Sequence, residues 1–298
     1  MHMRMAKYVA KRILLMIFVL FVITTICFML IRMLPRELPM DKNQAEIIKA
    51  RWEALGYYEP LPVQYGIYLK NIFTELDFGT SWGIQYHEPA LNLITGRLLP
   101  TVMVNFYSLI LSIPVGIMLG IYAAIKKNKW QDSLISTSVM VFVSVPSYVY
   151  AFLVQYIFYF KLRWFPLTVS SLADAGGSWF TWKMFYSMIL PVLSLSFGSI
   201  AGLTRAQATS RHAFKNAMVP ILPMILSSFV GVLGGSFVIE QIFAIPGVGQ
   251  LYLQSISLFD YDVFMVDCVF YVFIGLLAGI VVDLSYGFID PRIRMGEK

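Results

Sequence analysis

Residues 98–125 read LLPTVMVNFYSLILSIPVGIMLGIYAAI, a stretch in which no Asp, Glu, Lys or Arg interrupts the apolar side chains. About 20 helical residues cross a bilayer core about 30 Å thick, and a helix is required because lipid offers the backbone no hydrogen-bond partner. This stretch is long enough to cross and carries no charge that would have to be buried. The sequence therefore predicts a membrane-spanning helix here.

Five other apolar stretches of comparable length accompany it. Charged residues are absent from the first four, and the last has one Asp near each end: 13–31, 133–160, 184–204, 216–239 and 263–288. We therefore predict an all-α membrane protein with six transmembrane helices. A further uncharged stretch, 241–259, contains three glutamines and the turn signal Pro246-Gly247-Val248-Gly249. This composition favours a loop over a seventh span, with a re-entrant course as one option.

The composition of the whole chain agrees with a membrane protein. Hydrophobic residues make up 58% and charged residues 13% of the chain, about half the charged fraction of an ordinary soluble domain. Basic residues lie in short clusters between apolar stretches, so the net charge of +6 predicts no nucleic-acid partner. Cys27 and Cys268 both fall in apolar stretches, which excludes a disulfide framework and a metal site of the usual Cys/His spacing.

The distribution of Lys and Arg predicts the orientation. Six spans place both termini on one side of the membrane. The segments on that side hold 13 of the 23 basic residues in the chain: 1–12, 126–132, 205–215 and 289–298. Basic residues concentrate on the cytoplasmic side of membrane proteins, so both termini are predicted to be cytoplasmic.

The connection between the first two predicted spans is too large to be a simple linker. Residues 33–97 are polar and carry eight acidic side chains. Within them, 62–73 predicts a short helix with a Pro start and an apolar face of Val63, Ile67 and Ile72. This segment is interpreted either as a cap over helix ends or as a docking surface for an external partner.

These predictions divide the chain by membrane side. The N-terminus with the first span occupies 1–32, and the extracytoplasmic segment occupies 33–97. A five-helix permease core follows at 98–288, and 289–298 form a cytoplasmic C-terminus.

Several short motifs, taken together in their order and spacing, resemble one transporter family. In chain order they are Asp77-Phe78-Gly79-Thr80-Ser81, Leu99-Pro100-Thr101, Ser144-Val145-Pro146-Ser147, Trp164-Phe165-Pro166, Leu190-Pro191-Val192-Leu193, Leu203-Thr204-Arg205, Glu240-Gln241-Ile242-Phe243-Ala244-Ile245-Pro246-Gly247-Val248-Gly249, Asp283-Leu284-Ser285-Tyr286 and Asp290-Pro291-Arg292. The chain resembles, over nearly its whole length, the B-type permease subunit of the dipeptide/oligopeptide family of binding-protein-dependent ABC transporters.

The resemblance implies a fold and a set of partners. The fold is that of a type I ABC importer permease in a bacterial cell membrane, where the chain contacts lipid. A homologous second permease subunit pairs with it, two cytoplasmic ATPase subunits drive the pair, and an extracytoplasmic substrate-binding protein delivers peptide. ATP and Mg bind to the ATPase subunits and this chain holds no cofactor, in keeping with its lack of a Gly-x-x-x-x-Gly-Lys-Ser/Thr loop. Oligosaccharides and nickel complexes are the alternative substrates within such families.

The connection between the fourth and fifth predicted spans departs from the family pattern. Its Arg211–Pro220 part resembles the second half of the motif that couples permease to ATPase, but the Ala-rich, Gly-ending first half is not visible after Arg205. Either this loop is genuinely shortened, or a segment is missing from the sequence. The candidate ATPase contacts are Arg205, Arg211, His212, Ala213, Lys215 and Asn216. Their basic members are equally explained as anchors of the positive-inside rule.

Two further sets of residues are candidates for transport itself. Polar or helix-bending residues predicted to lie at membrane depth are candidates for lining a translocation path: Asn105, Ser108, Ser112, Ser144, Pro146, Ser147 and Gln155. Serines in membrane helices also serve close helix packing, so that interpretation stays open. By the resemblance, an outer gate or loop contains Glu240, Phe243, Pro246, Gly247 and Gly249. The alternative for Glu240 is a structural hydrogen bond to loop amides.

Proteins of other classes fit the sequence less well. A secondary transporter driven by protons or sodium usually shows internal repeats and charges at mid-span, and neither is evident here. An intramembrane enzyme is disfavoured because no His-Glu-x-x-His or Gly-x-Ser-x-Gly element occurs.

Overall fold

The helices of the computed structural model follow the apolar stretches of the sequence. The structure describes residues 2–34, 42–54, 56–209, 214–233 and 236–289. Within these ranges the helices are α1 His2–Arg32, α2 Lys42–Ala54, α3 Leu61–Glu75, α4 Ala90–Ile125, α5 Trp130–Ser144, α6 Ser147–Val154 with a π-helical continuation Gln155–Lys161, α7 Trp182–Thr209, α8 Phe214–Gly231, α9 Phe237–Ile242, α10 Val248–Ser257 and α11 Tyr261–Ile289. The predicted all-α class is confirmed.

Four helices in the described part of the chain are long and apolar enough to cross a membrane. They contain the segments Val9–Arg32, Ala90–Ile125, Trp182–Ala206 and Tyr261–Ser285. They correspond to the predicted first, second, fourth and sixth spans. A fifth crossing requires the bent pair Trp130–Ser144 and Ser147–Lys161 to act as one span. The full count of six therefore stays a prediction.

The predicted third span, 133–160, is not a single straight helix. Its two halves are bent by 104°, and the break lies at Val145 and Pro146. Val145 has an extended backbone, with φ −89 and ψ 130, because the ring of a following proline disfavours the helical conformation. Pro146 itself is extended, with φ −61 and ψ 146. The prediction that Pro146 bends its span is confirmed, whereas Pro114 and Pro191 lie inside α4 and α7.

The region after the fourth span differs most from the prediction. The expected span 216–239 is interrupted, because α8 ends at Gly231 and Ser236 has an extended backbone before α9. Glycine disfavours a helix, and three glycines lie in the five residues from 231 to 235. The prediction of a loop at 241–259 was also wrong, because α10 occupies much of that stretch. Buried Val248, Leu251 and Ser255 recur at a helical period, a pattern that the Pro-Gly turn signal obscured.

The chain forms two compact units, which are described separately. The first unit comprises Met1–Gly96 and Leu251–Phe273. Its apolar core contains Phe28 and Ile31 of α1, Tyr68 of α3 and Met265 of α11. The predicted short helix is confirmed as α3, with Pro62 in its first turn. Its predicted face was partly wrong, because Val63 is exposed and the buried residues of α3 are Gln64 and Tyr68.

The second unit comprises Arg97–Gln250 and Ile274–Lys298. Its core brings together residues of α4, α6, α7 and α9, with Met184, Met188 and Leu190 of α7 fully buried. Helix α7 packs against α5, α6, α8 and α9, so it is the central helix of this unit. The predicted division of the chain by membrane side stays a prediction.

Candidate functional site

Glu240 lies in the short helix α9 and is almost fully buried, with 2% of its surface exposed. The segment that follows, residues 243–247, is called the Pro-Gly loop here. It turns back at once, because Ile245 N donates to the Glu240 carbonyl oxygen at 2.8 Å and Ala244 adopts a positive φ of 51. Because of this turn, the Glu240 side chain of α9 lies inside the second unit, next to the start of α10.

The carboxylate of Glu240 connects three helices. The Thr101 hydroxyl of α4 donates to Oε1 at 2.9 Å, and Gln250 N of α10 donates to Oε2 at 3.0 Å. Thr101 Oγ1 also accepts a hydrogen bond from Val248 N at 2.9 Å. Two of the motifs recognised in the sequence, Leu99-Pro100-Thr101 and the Glu240–Gly249 run, are therefore in direct contact.

Gly247 and Gly249 allow the loop to approach this carboxylate closely. A Cβ atom on Gly247 would lie 2.4 Å from both Glu240 Oε2 and Thr101 Oγ1. On Gly249 it would lie 2.6 Å from Phe237 Cα and 3.0 Å from Glu240 Oε2. All of these distances are shorter than a normal van der Waals contact, so a larger residue at either position would force the surrounding atoms to move. Of the predicted outer-gate residues, Glu240, Gly247 and Gly249 are thus brought together.

The rest of the Pro-Gly loop is fixed to other parts of the second unit. Phe243 is fully buried in the core, and its carbonyl oxygen accepts from Val169 N at 2.9 Å. Gln155 Nε2, at the start of the π-helical segment, donates to the carbonyl oxygens of Leu167 at 3.1 Å and Ile242 at 3.4 Å. Gln155, predicted to line a path, therefore connects the end of α9, directly before the loop, to the bent span. Pro246 is partly buried between Ile245 and Gly247.

Burial determines the electrostatics of this site. It raises the pKa of Glu240 from 4.5 to about 7, because a buried carboxylate loses its hydration. Hydrogen bonds from the Thr101 hydroxyl and from the backbone of Gln250, Gly249 and Ser236 favour the ionised form and limit the rise. The group can therefore change its charge near neutral pH.

The stability of the protein is expected to fall as the pH rises from about 4.5 to about 7. Folded Glu240 holds its proton up to a pKa of about 7, whereas the unfolded residue releases it near 4.5, so rising pH favours the unfolded state. At about 1.36 kcal/mol per pKa unit the effect is roughly 3 kcal/mol. Glu240→Gln, which retains the shape without the titration, should show a flatter dependence of unfolding temperature on pH. Glu75→Gln, at an exposed position, is the control, and equal slopes in wild type and Glu240→Gln would contradict the assignment.

The predicted path residues do not gather on one surface in the structure. Ser108 and Ser112 are buried, and Ser196 Oγ of α7 donates to Ser108 Oγ at 3.2 Å, so Ser108 serves the packing of α4 against α7. Asn105 Nδ2 donates to the Thr101 carbonyl oxygen at 2.8 Å. Ser144, Pro146 and Ser147 are exposed at the bend between α5 and α6. A role for any of them in a path stays a prediction.

The predicted ATPase contacts lie near the connection between α7 and α8. Arg205 is exposed and lines a groove of about 770 Å³, together with Lys127, Asp132 and Thr204. Arg211, His212 and Ala213 lie outside the described residues, and Lys215 and Asn216 fall in α8 at positions whose side chains are not described. Only four residues separate α7 from α8, and both the shortened-loop and the missing-segment alternatives stay open.

Two side chains in the structure were not assigned a role by sequence reasoning. Thr101 was part of a motif, yet its contact with Glu240 spans 139 positions. Asp260 of the first unit is 3% exposed, and its Oδ2 accepts from Ser81 Oγ at 2.6 Å and from the backbone N of Trp82, Gly83 and Ile84 at 3.0 to 3.2 Å. The only sequence signal was that Thr101, and Ser81 among the partners of Asp260, belong to recognised motifs.

The long apolar helices and their buried polar contacts define a multi-pass α-helical membrane protein. Residues 116–295 match the family model of the binding-protein-dependent transport system inner membrane component. Residues 5–102 match the model of the N-terminal part of binding-protein-dependent transport system membrane components. The chain belongs to this family, and it is a permease subunit of a binding-protein-dependent ABC importer in the inner membrane.

Several transport proteins whose names state a substrate are similar to this chain over nearly its whole length. The dipeptide transport system permease protein DppB of Bacillus subtilis (strain 168) is 31% identical over 325 residues, covering 99% of this chain and 100% of that protein. DppB of Lactococcus lactis subsp. cremoris (strain MG1363) is 30% identical, covering 98% of this chain and 100% of that protein. The glutathione transport system permease protein GsiC of Escherichia coli (strain K12) is 30% identical, covering 97% of this chain and 99% of that protein.

The alignment with the Bacillus protein also bears on the short loop. It extends over 325 residues, more than the 298 of this chain, so it includes positions at which this chain has no counterpart. A shortened connection between α7 and α8 and a segment missing from the sequence would both produce such a difference. The resemblance to the dipeptide/oligopeptide permease family is confirmed by these relatives.

Proposed function

We propose that this chain forms half of the translocation pathway for dipeptides or oligopeptides. The observation that carries the proposal is its identity of about 30% to dipeptide permeases over nearly their whole length. Its similarity to permeases for glutathione, itself a short peptide, points to the same chemical class. Oligosaccharides and nickel complexes remain the alternative substrates.

The proposed assembly contains one further permease subunit, two cytoplasmic ATPase subunits and an extracytoplasmic substrate-binding protein. ATP and Mg bind to the ATPase subunits, and this chain contributes no cofactor. For nucleotide to drive transport, each nucleotide state must favour a different packing of the membrane helices. A ligand that binds two packings equally well does not change the equilibrium between them. Arg205, with the basic residues of 211–215, is proposed to face the ATPase.

The proposed orientation has both termini in the cytoplasm. The clustering of basic residues in 1–12, 126–132, 205–215 and 289–298 supports it. In this orientation the polar segment 33–97, including α2 and α3, faces the binding protein. The groove beside Arg205 then opens toward the ATPase.

The binding protein loaded with peptide is expected to stimulate ATP turnover by the purified complex. The measurement compares complexes in lipid nanodiscs with no binding protein, with empty binding protein and with protein loaded with dipeptides, longer peptides, an oligosaccharide or a nickel complex. Stimulation of at least threefold by peptide-loaded protein alone is the expected result. Stimulation by oligosaccharide or nickel alone would assign the alternative substrate, and a complex without nucleotide hydrolysis would contradict the assembly itself.

A further inference from the structure

We propose that Thr101 is a positioning residue for transport: its hydroxyl holds the Glu240 carboxylate and the first turn of α10 on α4, so that the Pro-Gly loop and α4 move as one body. The inference rests on the proposed transport function and assigns a role to a side chain outside the predicted gate. It concerns contacts within the second unit only.

The Thr101 hydroxyl is used differently from most hydroxyls in the helices. A helical Ser or Thr commonly donates its proton to a backbone carbonyl one turn earlier. Ser187 donates to the Met184 carbonyl oxygen and Ser194 to that of Leu190, each at 2.8 Å. Thr101 instead donates to Glu240 at 2.9 Å and accepts from Val248 N at 2.9 Å. Its single proton is therefore committed to the contact between helices.

Full burial makes these two hydrogen bonds consequential. Thr101 is 0% exposed, so water cannot replace the hydroxyl if it is removed. Glu240 Oε1 and the Val248 N–H would then each lose a partner in a buried setting, which is more costly than losing one at the surface. The carboxylate would keep the hydrogen bond from Gln250 N to its other oxygen.

Gly247 brings the backbone of the Pro-Gly loop close to this network. The Cα of Gly247 lies so near both Glu240 Oε2 and Thr101 Oγ1 that an added Cβ would be 2.4 Å from each. The hydroxyl and the carboxylate therefore lie directly against the backbone of the loop, as the proposed role requires. Pro100, immediately before Thr101, lacks the backbone N–H that would make a hydrogen bond within α4. The Thr101 hydroxyl therefore fixes this part of α4 to its neighbours at a point where the helix has one internal hydrogen bond fewer.

The matched variants are Thr101→Val, which removes the hydroxyl at constant shape, and Thr101→Ser, which retains it. Thr95→Val is the control, because Thr95 is an exposed residue of the same helix whose hydroxyl donates to the Asn92 carbonyl oxygen. In the assembled transporter, hydrogen exchange at the Val248 and Gln250 amides should accelerate about tenfold or more in Thr101→Val. The transport kcat should fall at least fivefold with KM unchanged, and Thr101→Ser should restore both.

Each outcome of this experiment has a defined consequence. Wild-type exchange and wild-type kcat in Thr101→Val would overturn the proposal. Accelerated exchange with wild-type kcat would overturn it too, since the hydroxyl would then serve structure alone. If Thr101→Val does not assemble, Glu240→Gln, which removes the charge of the acceptor and retains its shape, provides the second comparison, and wild-type exchange and kcat in that variant would also overturn the proposal. The exchange measurement needs no cargo, so a wrong substrate class would leave the exchange result intact while transport of peptide was absent.

Discussion

Gly249→Ala is expected to reduce transport at least tenfold. The added Cβ would lie 2.6 Å from Phe237 Cα and 2.8 Å from Phe237 N. Both are backbone atoms of the first residue of α9, so no side-chain rotation can relieve the clash. Either α9 or the first turn of α10 must move, and each carries a partner of the Glu240 network. Overpacking of this kind costs about 1–3 kcal/mol.

The measurement is the initial rate of substrate uptake by reconstituted transporter, with the unfolding temperature taken in parallel. Gly202→Ala in α7 is the control, because an added Cβ there meets no atom within 4 Å and alanine favours a helix more than glycine does. The control should match or slightly exceed wild type in stability. Wild-type uptake by Gly249→Ala would show that α9 and α10 can separate without consequence.

The elements that could be predicted from the sequence are those determined by composition over a long window. The segments of α1, α4, α7 and α11 were found because about 20 apolar residues leave lipid as the only compatible surroundings. The bend at Pro146 could be anticipated as well, because a proline restricts the residue before it. Its size of 104° could not, since it depends on how α5 and α6 each pack against α7.

The interrupted fifth span and α10 show where that approach fails. Hydropathy alone cannot distinguish one apolar helix from two short ones, and the stretch at 216–239 contains no charged residue to mark the end of α8. Conversely, the turn signal at Pro246 and Gly247 does mark a loop, but the loop is short, because α10 begins directly after it at Val248.

The candidate site was predictable only as separate parts. The Glu240–Gly249 run was recognised, and the close approach of Gly247 and Gly249 explains why glycine stands at both positions. The partner hydroxyl on Thr101 is 139 positions away, and no local pattern encodes a contact at that separation. The same holds for Asp260, whose partners at residues 81–84 are 176 to 179 positions distant.

Asp260→Ala is expected to lower the stability of the first unit by about 1–3 kcal/mol. The Oδ2 atom accepts from the Ser81 hydroxyl and from three successive backbone N–H groups, at 2.6 to 3.2 Å. Ser81 and Asp260 are buried, whereas Trp82 and Ile84 are partly buried and Gly83 is exposed, so water can replace part of what the backbone N–H groups lose. Residues 81–84 should therefore detach from the residue that directly precedes α11.

Hydrogen exchange at the amides of residues 82–84, together with the unfolding temperature of the assembled transporter, checks this prediction. Glu75→Gln is the control because Glu75 is exposed at the end of α3. Asp260→Asn separates the two contributions of the carboxylate, since its amide oxygen can still accept these hydrogen bonds without a charge. An intermediate loss in Asp260→Asn is expected, because hydrogen bonds to a charged acceptor are stronger than those to a neutral one. Unchanged exchange in Asp260→Ala would mean that other contacts hold residues 81–84, and that the buried carboxylate contributes nothing to their position.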